Sequence, residues 1–256
     1  SGFASGGYLP DVLSSDGQSI FLRSARFDTD LERQKDNVPH LWSSVGFLDD
    51  SWWHRTYWQI GTSMGSGWGG WAKVGQQVPA GRLLVTDGNR VFGYGRNQYD
   101  TPGAHVGVDA DGVWGPVGRE QGRWTFYRLF GRTLDDDAGR RERRGEDAPR
   151  ADGPDWNSRI PVLGQGLVLA SETLFVAGPP DAVSEIPHRP AAVDPLAAAL
   201  ESTTGGRLLA ISASDGETLA ERELESSPVF DGLAAAAGRL YLSLKNGQVV
   251  CWGAGQ

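Results

Sequence analysis

Apolar and polar residues alternate over short runs along this chain, and turn-forming residues interrupt the alternation about every ten positions, the pattern of short antiparallel strands. GRLLVTDGNRVFGYGR (81–96) reads as strand, Asp-Gly-Asn turn and strand, with Leu83 and Val85 on one side and Val91, Phe92 and Tyr94 on the other. Gly and Asn accept the positive φ that a tight hairpin turn requires, so the spacing has a mechanism. DGQSIFLRSARF (16–27) alternates around Ile20 and Leu22 with a basic face at Arg23 and Arg26, and GRWTFYRLF (122–130) is an aromatic-rich strand. RIPVLGQGLVLASETLFVAG (159–178) predicts an entry strand and then a hairpin turning at Ala170, Ser171 and Glu172.

The C-terminal pattern is the clearest. GGRLLAISASDGETLAERELE (205–225) is strand, Ser-Asp-Gly turn, strand. SPVFDGLAAAAGRLYLSLKNGQVVCWG (227–253) adds a short strand, a small-residue strand, a Gly-Arg turn and two strands joined at Asn246-Gly247, the strongest hairpin signal present. Helical signals are confined to DPLAAALES (194–202), where Asp194 is placed to cap and Pro195 to occupy the first turn, and to a single turn in DDSWWHRTYW (49–58). Stretches 28–40, 61–80, 132–158 and 179–204 lack strand character, and 132–158 and 179–204 are expected to be long loops of a single domain spanning 1–256.

Within this all-β pattern, AISASDGETLA (210–220) resembles the repeat of PQQ-like (quinoprotein-type) β-propellers: Ala, any residue, Asp, two variable residues, Thr-Gly, three variable residues, Trp. Ala210 and Gly216 match, Asp215 takes the Thr place, Ser212 replaces the Asp and Ala220 the Trp. The following SSPVFDGLAAAAGRLYLSLKNGQVVCWG is similar to the next blade of that family through Pro228, Val229, Asp231, Gly232, Gly238, Leu240, Tyr241 and Cys251. The resemblance covers 205–253 and is to C-terminal blades of large bacterial PQQ-like repeat proteins. It implies a β-propeller of four-stranded antiparallel blades, in which Ala234–Ala237 would suit crowded inner strands. A blade takes about 40–50 residues, so the chain supplies four to five blades of the seven or eight that the family usually closes. The chain then reads as part of a longer propeller, as one half of a ring completed by a second chain, or as a self-contained small propeller or sandwich. Its start, SGFASGG, without Met or a signal peptide, fits a processed protein or a piece of something longer.

Composition narrows the partners. Gly contributes 36 of 256 residues, about twice its usual share. A formal net charge of −8 argues against nucleic acid or an anionic membrane as the main partner. The basic run RRERR (140–144) is bracketed by Asp135, Asp136, Asp137, Glu146 and Asp147 and reads as a solvated loop of mixed charge. No apolar run is long enough to span a bilayer. The one cysteine, Cys251, excludes an intramolecular disulfide and a cysteine-rich metal cluster.

Candidate chemistry concentrates in LWSSVGFLDDSWWHRTYWQIGTSMGSGWGGW (41–71), which holds six of the ten tryptophans. Here His40, Asp49, Asp50, Trp52, Trp53, His54, Arg55 and Tyr57 form a constellation suited to a ligand or a partner. Indole faces stack on sugars and flat cofactors, and a carboxylate pair beside His and Arg suits acid–base work. The competing reading is a packed aromatic loop with Asp49 and Asp50 capping a turn. GTSMGSGWGGW lacks the Gly-Lys-Ser/Thr ending of a phosphate loop. His40, His54, His105 and His188 are scattered without metal-ligand spacing, and DADG (109–112) stops short of a calcium loop.

Quinoprotein dehydrogenases, as the resemblance implies, hold their quinone with a vicinal disulfide, a calcium site and a stacking Trp. A single cysteine and no matching carboxylate set leave PQQ unsupported, and no cofactor is expected. The resemblance therefore implies a non-catalytic binding or assembly subunit of a periplasmic or extracellular complex, its partner another protein or the remaining blades. The alternative is an enzyme. It would be either a carbohydrate-active protein binding a glycan in a Trp-lined funnel, or a quinone-dependent dehydrogenase completed by further sequence.

Overall fold

The computed structural model describes residues 13–22, 25–36, 38–43, 58–61, 79–96, 98–101, 104–108, 114–116, 127–134, 155–181, 198–199, 201–203 and 205–253. The chain divides into two compact units, 1–82 with 136–151, and 83–135 with 152–256.

Among the described residues the first unit contains two sheets. β1 (Leu13–Ser15), β2 (Ile20–Leu22) and β3 (Ala25–Phe27) form one, and β4 (His40–Ser43), β5 (Trp58–Gly61) and β6 (Ala80–Gly81) the other. The segment 16–27, read from sequence as one alternating strand, instead folds back on itself, so that Phe21 pairs with Arg26. Asp16 anchors the preceding turn by accepting the Gln18 and Ser19 N–H groups at 2.8 and 2.7 Å. Those backbone donors, Gln18 first, hold its carboxyl below the usual range.

In the second unit β7 (Leu83–Thr86) and β8 (Arg90–Arg96) make the expected hairpin, Leu83 opposite Tyr94. β9 (Gln98–Thr101), β10 (Ala104–Val108) and β11 (Trp114–Pro116) form a separate meander that the pattern did not announce. β12 (Tyr127–Thr133) and β13 (Trp156–Ser158) then complete a sheet of order β13-β12-β8-β7. β14 (Gly166–Ala170), β15 (Thr173–Gly178), β16 (Gly206–Ser212) and β17 (Thr218–Leu224) form a four-stranded meander. β18 (Pro228–Ala236), β19 (Arg239–Leu244) and β20 (Val249–Gly253) form a three-stranded one. The two strands read from sequence between 227 and 237 are one strand, its register broken between Pro228 and Leu233. Of the helical signal at 194–202, the described part is a turn in which Ser202 N–H donates to Ala198 O at 2.9 Å.

The β14–β17 sheet is covered on both faces, which is why Leu208 and Leu209, neighbours in GRLLAIS, are both buried. One face, with Leu174, Val176, Leu209 and Ile211, packs into a core with Phe92, Tyr94 and Leu129 from the β13-β12-β8-β7 sheet. Tyr94 stacks on Tyr127 at 5.4 Å and donates its hydroxyl to Val162 O at 2.8 Å, so its polar end is satisfied inside that core. The other face, with Ala177 and Leu208, packs on Leu233, Leu240 and Leu242 of the β18–β20 sheet.

These observations correct the propeller expectation. The described strands form six separate antiparallel sheets of three or four strands, none of which closes or curls, and the closed-blade arrangement is absent. Neither the PQQ-like resemblance nor the fold class drawn from it holds; all-β with small open sheets is the architecture. The physical reason is that AISASDGETLA specifies a hairpin and nothing more. Strand, turn and strand with Gly at positive φ serve any antiparallel sheet, whereas ring closure depends on long-range packing that such a motif does not encode. Ala234, Ala236 and Ala237, expected to crowd an inner axis, are exposed. The descriptors that followed from the propeller, quinoprotein-like scaffold among them, fall with it.

A cleft between two facing sheets

Small residues open a cleft where the β14–β17 and β18–β20 sheets face each other. On the first sheet Phe175, Ala210 and Ala220 are directly opposite one another across β15, β16 and β17, and Leu208 pairs with Arg222. On the second, Ala235, Leu240 and Trp252 form a matching row. Further along, Leu208, Leu233 and Leu242 bring the sheets into contact. At the alanine rows the side chains are too short to meet across two facing sheets, whose separation is about 10 Å. The result is a cavity of about 840 Å3, within the size range of small-molecule sites.

The cleft is apolar inside and polar at its mouth. The Arg222 guanidinium lies 5.7 Å from the centroid of the Trp252 ring, within cation–π range. Among the described residues no carboxylate pairs with Arg222. Glu221 beside it is occupied by Arg207, at 3.1 Å. Ser171 and Thr173 line the opposite rim. That rim is tethered through Glu172, whose carboxylate takes two hydrogen bonds from Arg90, at 2.8 and 3.0 Å. Those bonds hold the Glu172 carboxyl below its usual range, so its charge is committed to the scaffold. Among the described residues the charges lining the cleft without an ion-pair partner, Arg222 and Arg239, are therefore cationic, on a chain whose net charge is −8.

Of the residues singled out from sequence, the structure describes one. His40 is buried in β4, stacked on Phe21 at 4.0 Å and 9°, with Nδ1 2.7 Å from Val38 O. With its proton on Nδ1 the ring donates that bond, as a packed core histidine does. Asp49, Asp50, Trp52, Trp53, His54, Arg55 and Tyr57 lie outside the described residues. Among the described residues no group of His, Cys, Asp and Glu is placed to hold a metal. Their aromatic pairs, Phe21 with His40, Tyr94 with Tyr127 and Phe92 with Trp156, are core packing. A catalytic funnel thus has no support in these residues, and the assembly-subunit reading loses the propeller on which it stood.

Arg222 and Trp252 were not singled out by sequence reasoning. The sequence signal for them was weak: Ala210, Ala220 and Ala235 are small residues within strands, and nothing local says that they face one another. Among the described residues no helix is long and apolar enough to cross a membrane. No protein-family model matches this chain, and no curated protein matches its sequence.

Proposed function

We propose that this chain is a ligand-binding protein whose ligand, an apolar body carrying a carboxylate, occupies the cleft between the β14–β17 and β18–β20 sheets. The observation that carries this reading is the Arg222 guanidinium, 5.7 Å from the centroid of the Trp252 ring with no carboxylate partner among the described residues, at the mouth of an apolar cavity. Cation–π attraction to the indole holds the guanidinium at the cleft while its N–H donors remain available, and a guanidinium can take a carboxylate bidentately. Phe175, Leu240 and Trp252 supply the surface for the apolar body.

The test uses 2-naphthoate and its neutral counterpart 2-naphthalenemethanol, each titrated while the indole N–H resonance of Trp252 is followed. Naphthoate is expected to shift that resonance saturably, and Arg222→Met to weaken it about tenfold, the equivalent of one charged hydrogen-bonded contact. The alcohol should be indifferent to the substitution. An unmoved Trp252 resonance, or a naphthoate affinity that ignores Arg222, overturns the proposal.

A further inference from the structure

The cleft is bounded by sheets of unequal width, and the missing width lies on its open side. The β14–β17 sheet has four strands and the facing β18–β20 sheet has three; β14 packs on β18, and at the far side Arg222 of β17 reaches over Trp252 of β20. Ala220 and Arg222, which face the cleft from β17, are exposed. The strand that would cover them is one hydrogen-bonded outside β20, whose outer edge is unpaired among the described residues.

That edge is built to accept a strand. Leu244 N–H donates to Gln248 O at 2.8 Å. Pairs in an antiparallel ladder alternate between bonded and non-bonded, so Val250 and Trp252 direct their peptide groups toward β19 and Val249 and Cys251 direct theirs outward. The strand reads VVCWG, with neither a charge nor a proline, and Val249 is 68% exposed. The other free edge bordering the cleft, β17, carries Glu221, Arg222 and Glu223 in succession. Charges of that kind are how an exposed edge resists pairing, and β20 lacks them.

We infer that the occupant of the cleft is an extended peptide segment of a partner protein that adds to β20 as a fourth strand, with apolar side chains on its cleft face and a carboxylate at the position facing Arg222. This inference rests on the cleft being a ligand site and specifies what fills it. Main-chain hydrogen bonds to Val249 and Cys251 supply sequence-independent affinity. Alternate side chains entering the apolar cleft supply selection, and Arg222 selects for acid. Arg222, over the Trp252 ring of the edge strand β20, borders the space that the side chains of an added strand would enter.

The experiment measures backbone hydrogen exchange at Val249 and Cys251 in the whole chain, with a terminally blocked hexapeptide that carries leucine, leucine and glutamate at positions 1, 3 and 5, on one face of the strand, and serine at the positions between. Strand addition is expected to slow both amides about tenfold or more at saturation. A peptide N-methylated at its β20-facing amides should lose that protection, and Arg222→Met or replacement of the peptide glutamate by glutamine should weaken binding about fivefold. If the peptide shifts Trp252 without protecting the two amides, strand addition is refuted while the cleft remains a ligand site. If neither peptide nor naphthoate shifts Trp252, both readings fail. Amides already protected in the free monomer, or protected in proportion to a dimer seen by light scattering, would mean that this chain or a second copy covers the edge, and the partner-peptide inference is overturned.

Discussion

Replacing Gly216 by Ala tests the packing that holds the β16–β17 hairpin in the fold. Gly216 has φ +77° and carries the turn between the two strands. A Cβ there would lie 2.5 Å from Trp156 Cε3 and 2.8 Å from Ser158 Oγ. The ring has little room to retreat, because Trp156 Nε1–H donates to Ala213 O at 3.0 Å and its other side meets Phe92, 6.1 Å between centroids. Two costs therefore add. The left-handed conformation costs an alanine about 1–2 kcal/mol, and forcing a methyl against a fixed ring costs about 1–3 kcal/mol. The sum is about 2–5 kcal/mol, read as a lower urea midpoint at unchanged m-value.

Gly238→Ala is the internal control. Gly238 has φ +70° and no heavy atom within 4 Å of its virtual Cβ. Only the backbone part applies there, about 1–2 kcal/mol. The difference between the two variants isolates the Trp156 contact. Equal midpoints for the two variants would refute the claim that the hairpin tip is packed against β13.

Three further outcomes follow from the same geometry. Leu242→Ala removes a side chain that is 0% exposed between the two sheets below the cleft; it should cost about 2–5 kcal/mol by urea unfolding and lower naphthoate affinity by loosening the cleft floor. Tyr94→Phe leaves the buried Val162 carbonyl without the hydroxyl that donates to it at 2.8 Å; a loss of about 1–2 kcal/mol is expected, and a neutral result would show that the carbonyl finds another donor. Glu172 is held below its usual range by Arg90, and Asp87 likewise, its burial outweighed by hydrogen bonds from Arg90. Native values below the unfolded ones mean stabilisation that is complete above the ordinary carboxylate range and is lost as pH falls through the native values. The urea midpoint of Asp87→Asn/Glu172→Gln should thus lie below that of the parent at about pH 6, and the gap should narrow as pH falls below the ordinary carboxylate range.

How much of this was legible in the sequence depended on range. The hairpins at 83–96, 166–178, 206–224 and 239–253 were readable because each is settled by neighbours: alternation sets the faces, and Gly, Asn or Asp in the turn permits the reversal. The segment 16–27 misled because alternation alone does not count strands; the return of Arg26 onto Phe21 makes it two. The meander at 98–116 gave too weak a pattern to be read as strands. His40 looked like chemistry by its residue type, and its stack on Phe21 from another sheet made it core.

The ring inferred from AISASDGETLA failed for the same reason. The motif carries local hairpin information, and whether sheets close on one another is decided by which faces bury which. Alternation, turn chemistry and charge thus determined the strands, their faces and the acidic surface. The cleft arose only when Ala210 and Ala220 came to face Ala235 across two sheets, and when Arg222 came to lie over Trp252, thirty positions on. Packing between segments distant in sequence is a property of their shapes together, and no single stretch of the chain contains it.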